Sequence, residues 1–479
     1  MRHDRHLVAP ARWLGLGGLL VVFGALVLVA TVSASRGPTS GAGPAAGPAR
    51  GTPNVILIDV DDMRYDSLWV MDRLNQAAER GTTFGKFFDT TPLCCPSRAS
   101  LQTGLYARNH GVVGNTAPEG GFTAFNDSST LATWLHNGGI RTGLVGRYLN
   151  EYTTEYIPPG WDSWFALQQA DEDHGNYYDY RVTIDGGDRR YYGYQEKDYS
   201  ERVLGERALQ FIRADTTRPF FLLFTPRGPH GPATPDKLDA GAFKTTPWPT
   251  PPSLDEADVS DKPSFIQSLK RLTDSDKADI EQFRRRQWEA LLSVDRTIGQ
   301  MLDALAADGR LDNTWIFFTS DNGIALGEHR IDVRKSCVYE ECVRVPLVVI
   351  PPAGMTVPRT DDDHVVGNID LAPTVADIMG IRPGTGVDGR SLLPILRDPS
   401  ADWREGIILE MVKDTGRYQY SAIRTSDRKY VRFDNGEEEL YDEASDPYEL
   451  HNLAAVGRWS DEKGRLGRLL DQLLAIRPS

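Results

Sequence analysis

The chain has 479 residues, a length that suits two or three domains. Hydrophobic content of 40% and charged content of 25% are ordinary for a globular protein. The net charge of −14 argues against a nucleic-acid partner and against a polybasic membrane-surface role, and an anionic substrate would need a locally positive pocket.

Residues 1–35 read as a targeting segment. Arg2, Arg5 and Arg12 precede an apolar run from Trp13 to about Val32, and Val32-Ser33-Ala34 offers a small-residue cleavage site. The run just reaches spanning length, so it fits either a cleaved signal peptide or a single N-terminal anchor. The basic flank stays in the cytoplasm in both cases and the body of the protein lies outside. Residues 36–53 are rich in Gly, Pro, Ala and Ser and read as a flexible linker.

Asn54 opens the folded part. Val55-Ile56-Leu57-Ile58 is a short apolar strand that ends in Asp59-Val60-Asp61-Asp62, the pattern of a buried parallel strand with polar groups at its C-terminal end. Adjacent carboxylates repel, and a hard cation such as Ca²⁺ or Mg²⁺ would relieve them. A helix is expected from Trp69 to Arg80. Next comes Leu93-Cys94-Cys95-Pro96-Ser97-Arg98-Ala99-Ser100-Leu101-Gln102-Thr103-Gly104. Pro96 fixes its own φ and pushes Cys95 away from helical geometry, so the expected helix starts after it with Ser97 as cap. A side chain just before that N-terminus sits where N–H groups favour an anion, and Arg98 adds a permanent charge.

Cys94-Cys95-Pro96-Ser97-Arg98 resembles the C-x-P-S-R signature of the type I sulfatases, and Ala99 to Gly104 follows the same pattern. The resemblance is nearest to the N-acetylglucosamine-6-sulfatase and extracellular-sulfatase branch. It implies that Cys94, the first cysteine, is oxidised to Cα-formylglycine by a formylglycine-generating enzyme. The hydrated aldehyde is then the nucleophile.

The rest of the chain repeats the likeness in one order, over about residues 54–455. Asp61 and Asp62 match the family's paired aspartates. Asp59 is an extra acid, where the family usually has an apolar residue, and it is left outside the expected site. His110 resembles a histidine of the same branch. A helix is expected over Thr130 to Asn137, then a strand and loop from Arg141 to Tyr152 that resembles G-K-Y-L-N-E-Y. Here Arg147 replaces the family lysine, and Leu149 stands where many arylsulfatases carry a histidine. Residues 171–199 hold seven tyrosines with a hairpin centred on Gly186-Gly187, suited either to stacking on a sugar or to plain strand packing.

Asp198 to Arg213 reads as an amphipathic helix and Pro219 to Phe224 as a second buried strand. It leads to Pro229-His230-Gly231-Pro232, which looks like the family's P-H-x-P and implies His230 as a sulfate contact and leaving-group acid. Residues 234–263 read as a surface loop, and Asp274 to Ala306 as one long helix or two. Thr314 to Ser320 is a third buried strand. It delivers Asp321-Asn322, which resembles the second half of the family's metal site. Lys335 matches the family's sulfate-binding lysine, and His329 is a further base or substrate contact. Four cysteines allow three pairings, but Cys337 and Cys342 lie close enough in sequence to bridge alone, leaving Cys94 and Cys95. From about Asp402, alternating stretches read as a small antiparallel sheet closed by a helix from Asp461 to Ile476.

The expected fold class is therefore α/β: a large, mostly parallel mixed sheet flanked by helices, alkaline-phosphatase-like, over residues 54–400, with a small-sheet subdomain over 401–479. The implied chemistry is sulfate-ester hydrolysis on a small molecule or glycan. Asp61, Asp62, Asp321, Asn322 and the modified Cys94 would hold Ca²⁺ or Mg²⁺, and Arg98, Arg147 and Lys335 would neutralise the sulfonyl oxygens. The alternatives are a phosphate or phosphonate monoester hydrolase of the same superfamily, or a non-catalytic binder of sulfated glycan with Cys94 unmodified.

Overall fold

The computed structural model describes residues 51–169, 176–353, 355, 359–384, 386–412 and 419–477. The expected targeting segment, nearly all of the linker, and residues 171–175 of the tyrosine-rich stretch lie outside the described residues. Among the described residues, no helix is long and apolar enough to cross a membrane.

The three apolar runs become the middle of a ten-stranded sheet. Asn54–Val60 lies between Phe220–Thr225 and Thr314–Ser320, parallel to both. Arg141–Arg147 and Ser163–Leu167 extend the parallel part beyond Phe220–Thr225. The hairpin Tyr180–Ile184 and Arg189–Tyr192 closes that edge antiparallel. At the other edge Leu347–Ile350 runs antiparallel to Thr314–Ser320, followed by Thr82–Phe84 and Arg359–Asp361.

The alternation of a strand explains why these runs are apolar throughout. Val55 and Leu57 point to one face of the sheet, into a core with Cys95, Ala99, Leu135, Leu371 and Val375. Ile56, Ile58 and Val60 point to the other, into a core with Trp288, Leu291, Val294 and Ile298 of the 34-residue helix Asp274–Ala307. The chain thus uses one long helix where the sequence allowed one or two. Both faces are covered, so every residue of Asn54–Val60 is buried.

The expected Trp69–Arg80 helix is split. A 3₁₀ turn spans Tyr65–Val70, and an α-helix spans Asp72–Ala78. The cause is tertiary: the Asp295 carboxylate on the long helix accepts from the backbone N–H of Arg73 and Leu74, both at 2.9 Å, and so caps a fresh helix start. Thr130 caps Leu131–Asn137 through a reciprocal bond with Thr133.

The C-terminal strands Gly406–Met411, Tyr420–Thr425, Arg428–Phe433 and Glu438–Asp442 form a consecutive antiparallel sheet. Leu466 and Leu470 of the helix Ser460–Ala475 cover it. Phe88, Tyr106, Val338 and Val343 join the same apolar cluster, which ties this sheet to the larger part of the chain.

Candidate active site

The site forms where the parallel strands end. Val60 pairs with Ser320 and Gly146 with Thr225, so neighbouring strands finish level and the next residues emerge together. Asp61 and Asp62 leave one strand, Asp321 and Asn322 the next, and Arg147 ends a third. The backbone N–H of Asp321 donates to Val60 O at 3.0 Å, and that of Met63 to Ser320 Oγ at 2.8 Å, which locks the two acidic ends to each other. Asp62 adopts a left-handed φ of 63°, a conformation that Asp tolerates better than most side chains.

Cys94 comes to this point from a helix. Cys94–Thr103 is helical throughout with Leu93 as cap residue, so the helix begins four residues before the expected start at Arg98. Ser97 is therefore inside it and is not the cap. Its backbone N–H closes a turn onto Leu93 O at 3.0 Å, and its hydroxyl accepts from Asn368 Nδ2 at 3.1 Å. Gly104, left-handed at φ 72°, ends the helix.

Around Cys94 the side chains interlock. Lys335 Nζ lies 2.9 Å from Cys94 Sγ and 2.6 Å from Asp62 Oδ1. Asn322 Nδ2 donates to the same Asp62 oxygen at 2.6 Å. Arg98 Nε donates to Asp321 Oδ2 at 3.0 Å, and its NH2 lies 3.3 Å from Asp61 Oδ2. Arg147 NH1 also donates to Asp61 Oδ2, while its NH2 reaches Asn150 Oδ1 at 3.1 Å. His230 Nε2 is 3.7 Å from Asp62 Oδ2, and its Nδ1 is 2.7 Å from Gly231 O. A carbonyl only accepts, so Nδ1 carries the hydrogen and Nε2 faces the cluster.

Burial and charge compete in this cluster. Burial raises the Asp61 carboxyl, but Arg147, His230, Arg98 and Lys335 outweigh it and leave Asp61 well below the carboxylate range. Asp321 is pushed up by burial and by Asp61, against Arg98. Burial raises the Cys94 thiol far above its ordinary value in spite of Lys335, so the side chain is a poor thiolate as it stands. Burial depresses His230, which favours its neutral form.

Two further expected residues have partners of their own. His110 is held by Ser100 Oγ at 3.0 Å and by the Val112 N–H at 3.1 Å, and burial lowers its pKa to about 3. His329 bonds Glu256 at 2.7 Å and stacks on Tyr339 at 4.0 Å, in a separate buried cluster with Glu341 and Glu449. Among the described residues no hydrogen bond or ion pair joins either histidine to Cys94, Asp61 or Asp62. Leu149, in place of the arylsulfatase histidine, packs in the core. Cys337 and Cys342 are disulfide-bonded, while Cys94 and Cys95 are free and buried.

Sequence reasoning missed three participants. Asp59, set aside as an extra acid, has Oδ2 3.3 Å from Arg98 NH1. Arg227 is a buried cation just past the Phe220–Thr225 strand. Burial and Arg147 lower its pKa to about 10, and its Nε has no hydrogen-bond partner. Asn368 bonds Thr90, Asp89 and Ser97 at once and fixes the loop that enters the Cys94 helix. Only Asp59 carried a signal, a charge in an otherwise apolar strand.

The sulfatase family profile matches residues 53–381, well over half of the chain. The chain belongs to the sulfatase family. It is a sulfuric ester hydrolase by that membership. A second profile, the C-terminal region of N-sulphoglucosamine sulphohydrolase, matches residues 327–474. Human N-acetylglucosamine-6-sulfatase is 32% identical over 464 residues, covering 86% of this chain and 82% of its own. N-acetylglucosamine-6-O-sulfatase of Bacteroides thetaiotaomicron is 26% identical, covering 88% and 86%. A protein solved with its substrate D-glucosamine-2-N,6-O-disulfate superposes with a TM-score of 0.75 at 24% identity, over 88% of this chain and 97% of that one. The phosphonate monoester hydrolase of Agrobacterium radiobacter superposes with 0.72 at 23%, over 88% and 95%. At these identities the two structures establish the alkaline-phosphatase-like sulfatase fold.

Sulfatases generally use a formylglycine and a divalent metal. The residues of this sulfatase fit a hard cation. Ligand atoms of Asp61, Asp62, Cys94 and Asp321 lie within 4.8 Å of one another, all buried. Asn322 Oδ1 is buried with no partner, an oxygen left free beside three carboxylates.

Proposed function

We propose that this sulfatase removes a sulfate ester from a sugar, with position 94 as formylglycine and Ca²⁺, or Mg²⁺, on Asp61, Asp62, Asp321 and Asn322. The substrate class we infer is a 6-O-sulfated glucosamine unit of a glycan. The N-acetylglucosamine-6-sulfatases that match most of the chain support that choice. The observation that carries the reading is the convergence on Cys94 of four oxygen-bearing side chains and three permanent cations.

When bound, the cation and the formylglycine would supply Lewis acidity and the nucleophilic oxygen. The other tasks fall to this chain. Lys335 and Arg98 flank position 94 and, with Arg147, present positive charge to the sulfonyl oxygens as the S–O bond breaks. Arg98 and Arg147 are already seated by carboxylates and by Asn150, so they need little reorganisation at the moment of reaction. His230 acts through Nε2. The Gly231 carbonyl holds the hydrogen on Nδ1, so Nε2 must first take up a proton, which Asp61 and Asp62 favour against burial. The imidazolium then gives that proton to the leaving alcohol. Burial keeps bulk water from the cluster and strengthens each of these interactions. Export through the N-terminal segment, with modification by a formylglycine-generating enzyme on the way, completes the reading.

The test has two parts. Mass spectrometry of the tryptic peptide Phe87 to Arg98, from protein made in its native host, is expected to carry an aldehyde or hydrate mass at position 94. The same protein is expected to release sulfate from N-acetylglucosamine 6-sulfate faster than it cleaves a phosphonate monoester. Intact thiols with no turnover would instead favour a sulfated-glycan binder. Preferential phosphonate cleavage would reassign the substrate.

A further inference from the structure

This chain departs from the sulfatase pattern it resembles at two positions that both bear on Arg98, one by direct contact and one through Asp61. Asp59 stands where an apolar side chain is usual, and Arg147 where lysine is usual. Both act on the surroundings of Arg98. The guanidinium of Arg98 is buried and spreads its nitrogens over three carboxylates: NH1 lies 3.3 Å from Asp59 Oδ2, NH2 lies 2.9 Å from Asp321 Oδ2 and 3.3 Å from Asp61 Oδ2, and Nε bonds Asp321. Arg147 donates to that same Asp61 oxygen. Lysine would bring one compact charge to this place, whereas arginine brings a second planar fork. Asp61 therefore serves two guanidinium groups, and with Asp321 it is also an expected cation ligand. Asp59 is the one carboxylate on Arg98 that stands outside that ligand set.

Asp59 has no other evident task. It points to the sheet face of Val55 and Leu57, where an aliphatic side chain would continue the core. Its Oδ1 is buried without a partner, and the carboxylate meets no positive side chain other than Arg98 at ion-pair distance among the described residues. Arg98 NH1 has no hydrogen-bond partner, so its contact with Asp59 Oδ2 at 3.3 Å is an ion pair, and it is the one carboxylate contact that NH1 makes among the described residues. Without Asp59 the guanidinium would lean fully on Asp61 and Asp321.

We propose that Asp59 is a positioning residue: its carboxylate holds the NH1 arm of Arg98, so that Arg98 keeps its place beside position 94 while Arg147 and the bound cation draw on Asp61. The two departures form one compensated pair, and Asp59 matters because residue 147 is arginine. This inference rests on the functional reading above.

The test is a double-mutant cycle on the full-length protein with D59L, D59N, R147K and D59L/R147K. Sulfate release from N-acetylglucosamine 6-sulfate is followed on preparations with matched formylglycine content. D59L is expected to lower kcat about 30-fold or more with KM within about threefold, the signature of a lost transition-state contact. D59N, which keeps an oxygen for NH1, is expected to stay within about fivefold of the wild type. In the R147K background, D59L is expected to cost less than about threefold, because Asp61 is then free to take Arg98.

Calorimetric titration of Ca²⁺ into metal-stripped protein gives a second readout that needs no turnover. There D59L is expected to weaken binding about fivefold or more, and D59N clearly less, since Arg98 competes for the ligands only when its NH1 partner is gone. Equal behaviour of D59L and D59N in both readouts would overturn the proposal. So would an equal D59L penalty with and without R147K. If D59L does not fold, D59N and D59N/R147K replace it, and a D59N penalty in turnover or Ca²⁺ binding that persists unchanged with R147K refutes the pairing. If the wild type releases no sulfate, the functional reading fails, and the Ca²⁺ titrations still decide the role of Asp59.

Discussion

Lys335→Met separates two roles that one ammonium plays. Lys335 Nζ donates to Asp62 Oδ1 at 2.6 Å and to Cys94 Sγ at 2.9 Å, and its side chain is 20% exposed. Methionine keeps the stem and removes the charge. Turnover should fall about 10²–10³-fold, the usual loss for one donor aimed at developing negative charge. Ca²⁺ binding should move the other way. In the metal-free cluster Lys335 stands in for a cation on Asp62. A Ca²⁺ about 2.4 Å from Asp62 Oδ1 would lie at most about 5 Å from Nζ. At an effective dielectric of about 20, charges of +2 and +1 at that distance repel by roughly 7 kcal/mol. Lys335 is exposed enough to swing aside and relieve most of this. Even a fifth of it, about 1.4 kcal/mol, corresponds to roughly tenfold tighter Ca²⁺ binding in the variant. Calorimetric titration of metal-stripped wild type and K335M, beside sulfate release by both, measures the two effects. An unchanged or weaker Ca²⁺ affinity in K335M would refute the reasoning, since Lys335 and the cation would then not share Asp62.

Three further outcomes follow from the geometry. His230→Ala should lower kcat on an alkyl sulfate by about 10²–10⁴ and much less on a nitrophenyl sulfate, whose leaving group needs no proton; equal losses on both would remove His230 from that role. Glu201 accepts from the N–H of Arg227 and Gly228, and burial pushes its carboxyl from the ordinary 4.5 up to about 7. The native state thus holds this proton longer than the unfolded chain does, so wild-type stability should fall as pH rises from about 4.5 to 7, by roughly 3 kcal/mol in total. Glu201→Gln should flatten that window in urea unfolding, and an unchanged pH slope would contradict the assignment. Asn368→Ala, which strands Thr90, Asp89 and Ser97, should cost about 2–4 kcal/mol by the same assay, with a loss below about 1 kcal/mol counting against its anchoring role.

The strand ends were the legible part of the fold. Val55–Ile58, Phe220–Phe224 and Trp315–Phe318 are apolar throughout because helices cover both sheet faces, and polar residues begin where that cover stops. A reader of the sequence can therefore place Asp61, Asp62, His230, Asp321 and Asn322 on one rim before any coordinates exist. The start of the Cys94 helix was not legible by the same logic. Pro96 is its third residue, where the missing N–H would have had no helical partner, so proline marks the first turn without marking its first residue. The hydroxyl of Ser97 was read as a local cap, yet its partner, Asn368, stands 271 residues away. His110 and His329 show the converse: a histidine near a family motif is drawn to local acceptors or to a distant glutamate, and spacing alone cannot tell which.

Asp59 shows where local reading fails for a deeper reason. Judged against its own strand, a carboxylate after Val55-Ile56-Leu57-Ile58 is a defect in an apolar run, and setting it aside is the consistent choice. Its partner on Arg98 lies 39 residues along the chain, and the need for it arises at Arg147, a further 49 residues on. Burying a lone carboxylate would cost several kcal/mol, and burial pushes the Asp59 carboxyl up to about 8 although Arg98 opposes it, so at 1% exposure the group keeps a charge only with a cation within reach. The only question the strand leaves open is which cation. The sheet answers it, because the alternation that points Leu57 at the Cys94 helix points Asp59 at the same helix one step nearer the rim, where Arg98 is the side chain it meets. Two residues that look like separate departures in the sequence thus become one electrostatic arrangement in the fold.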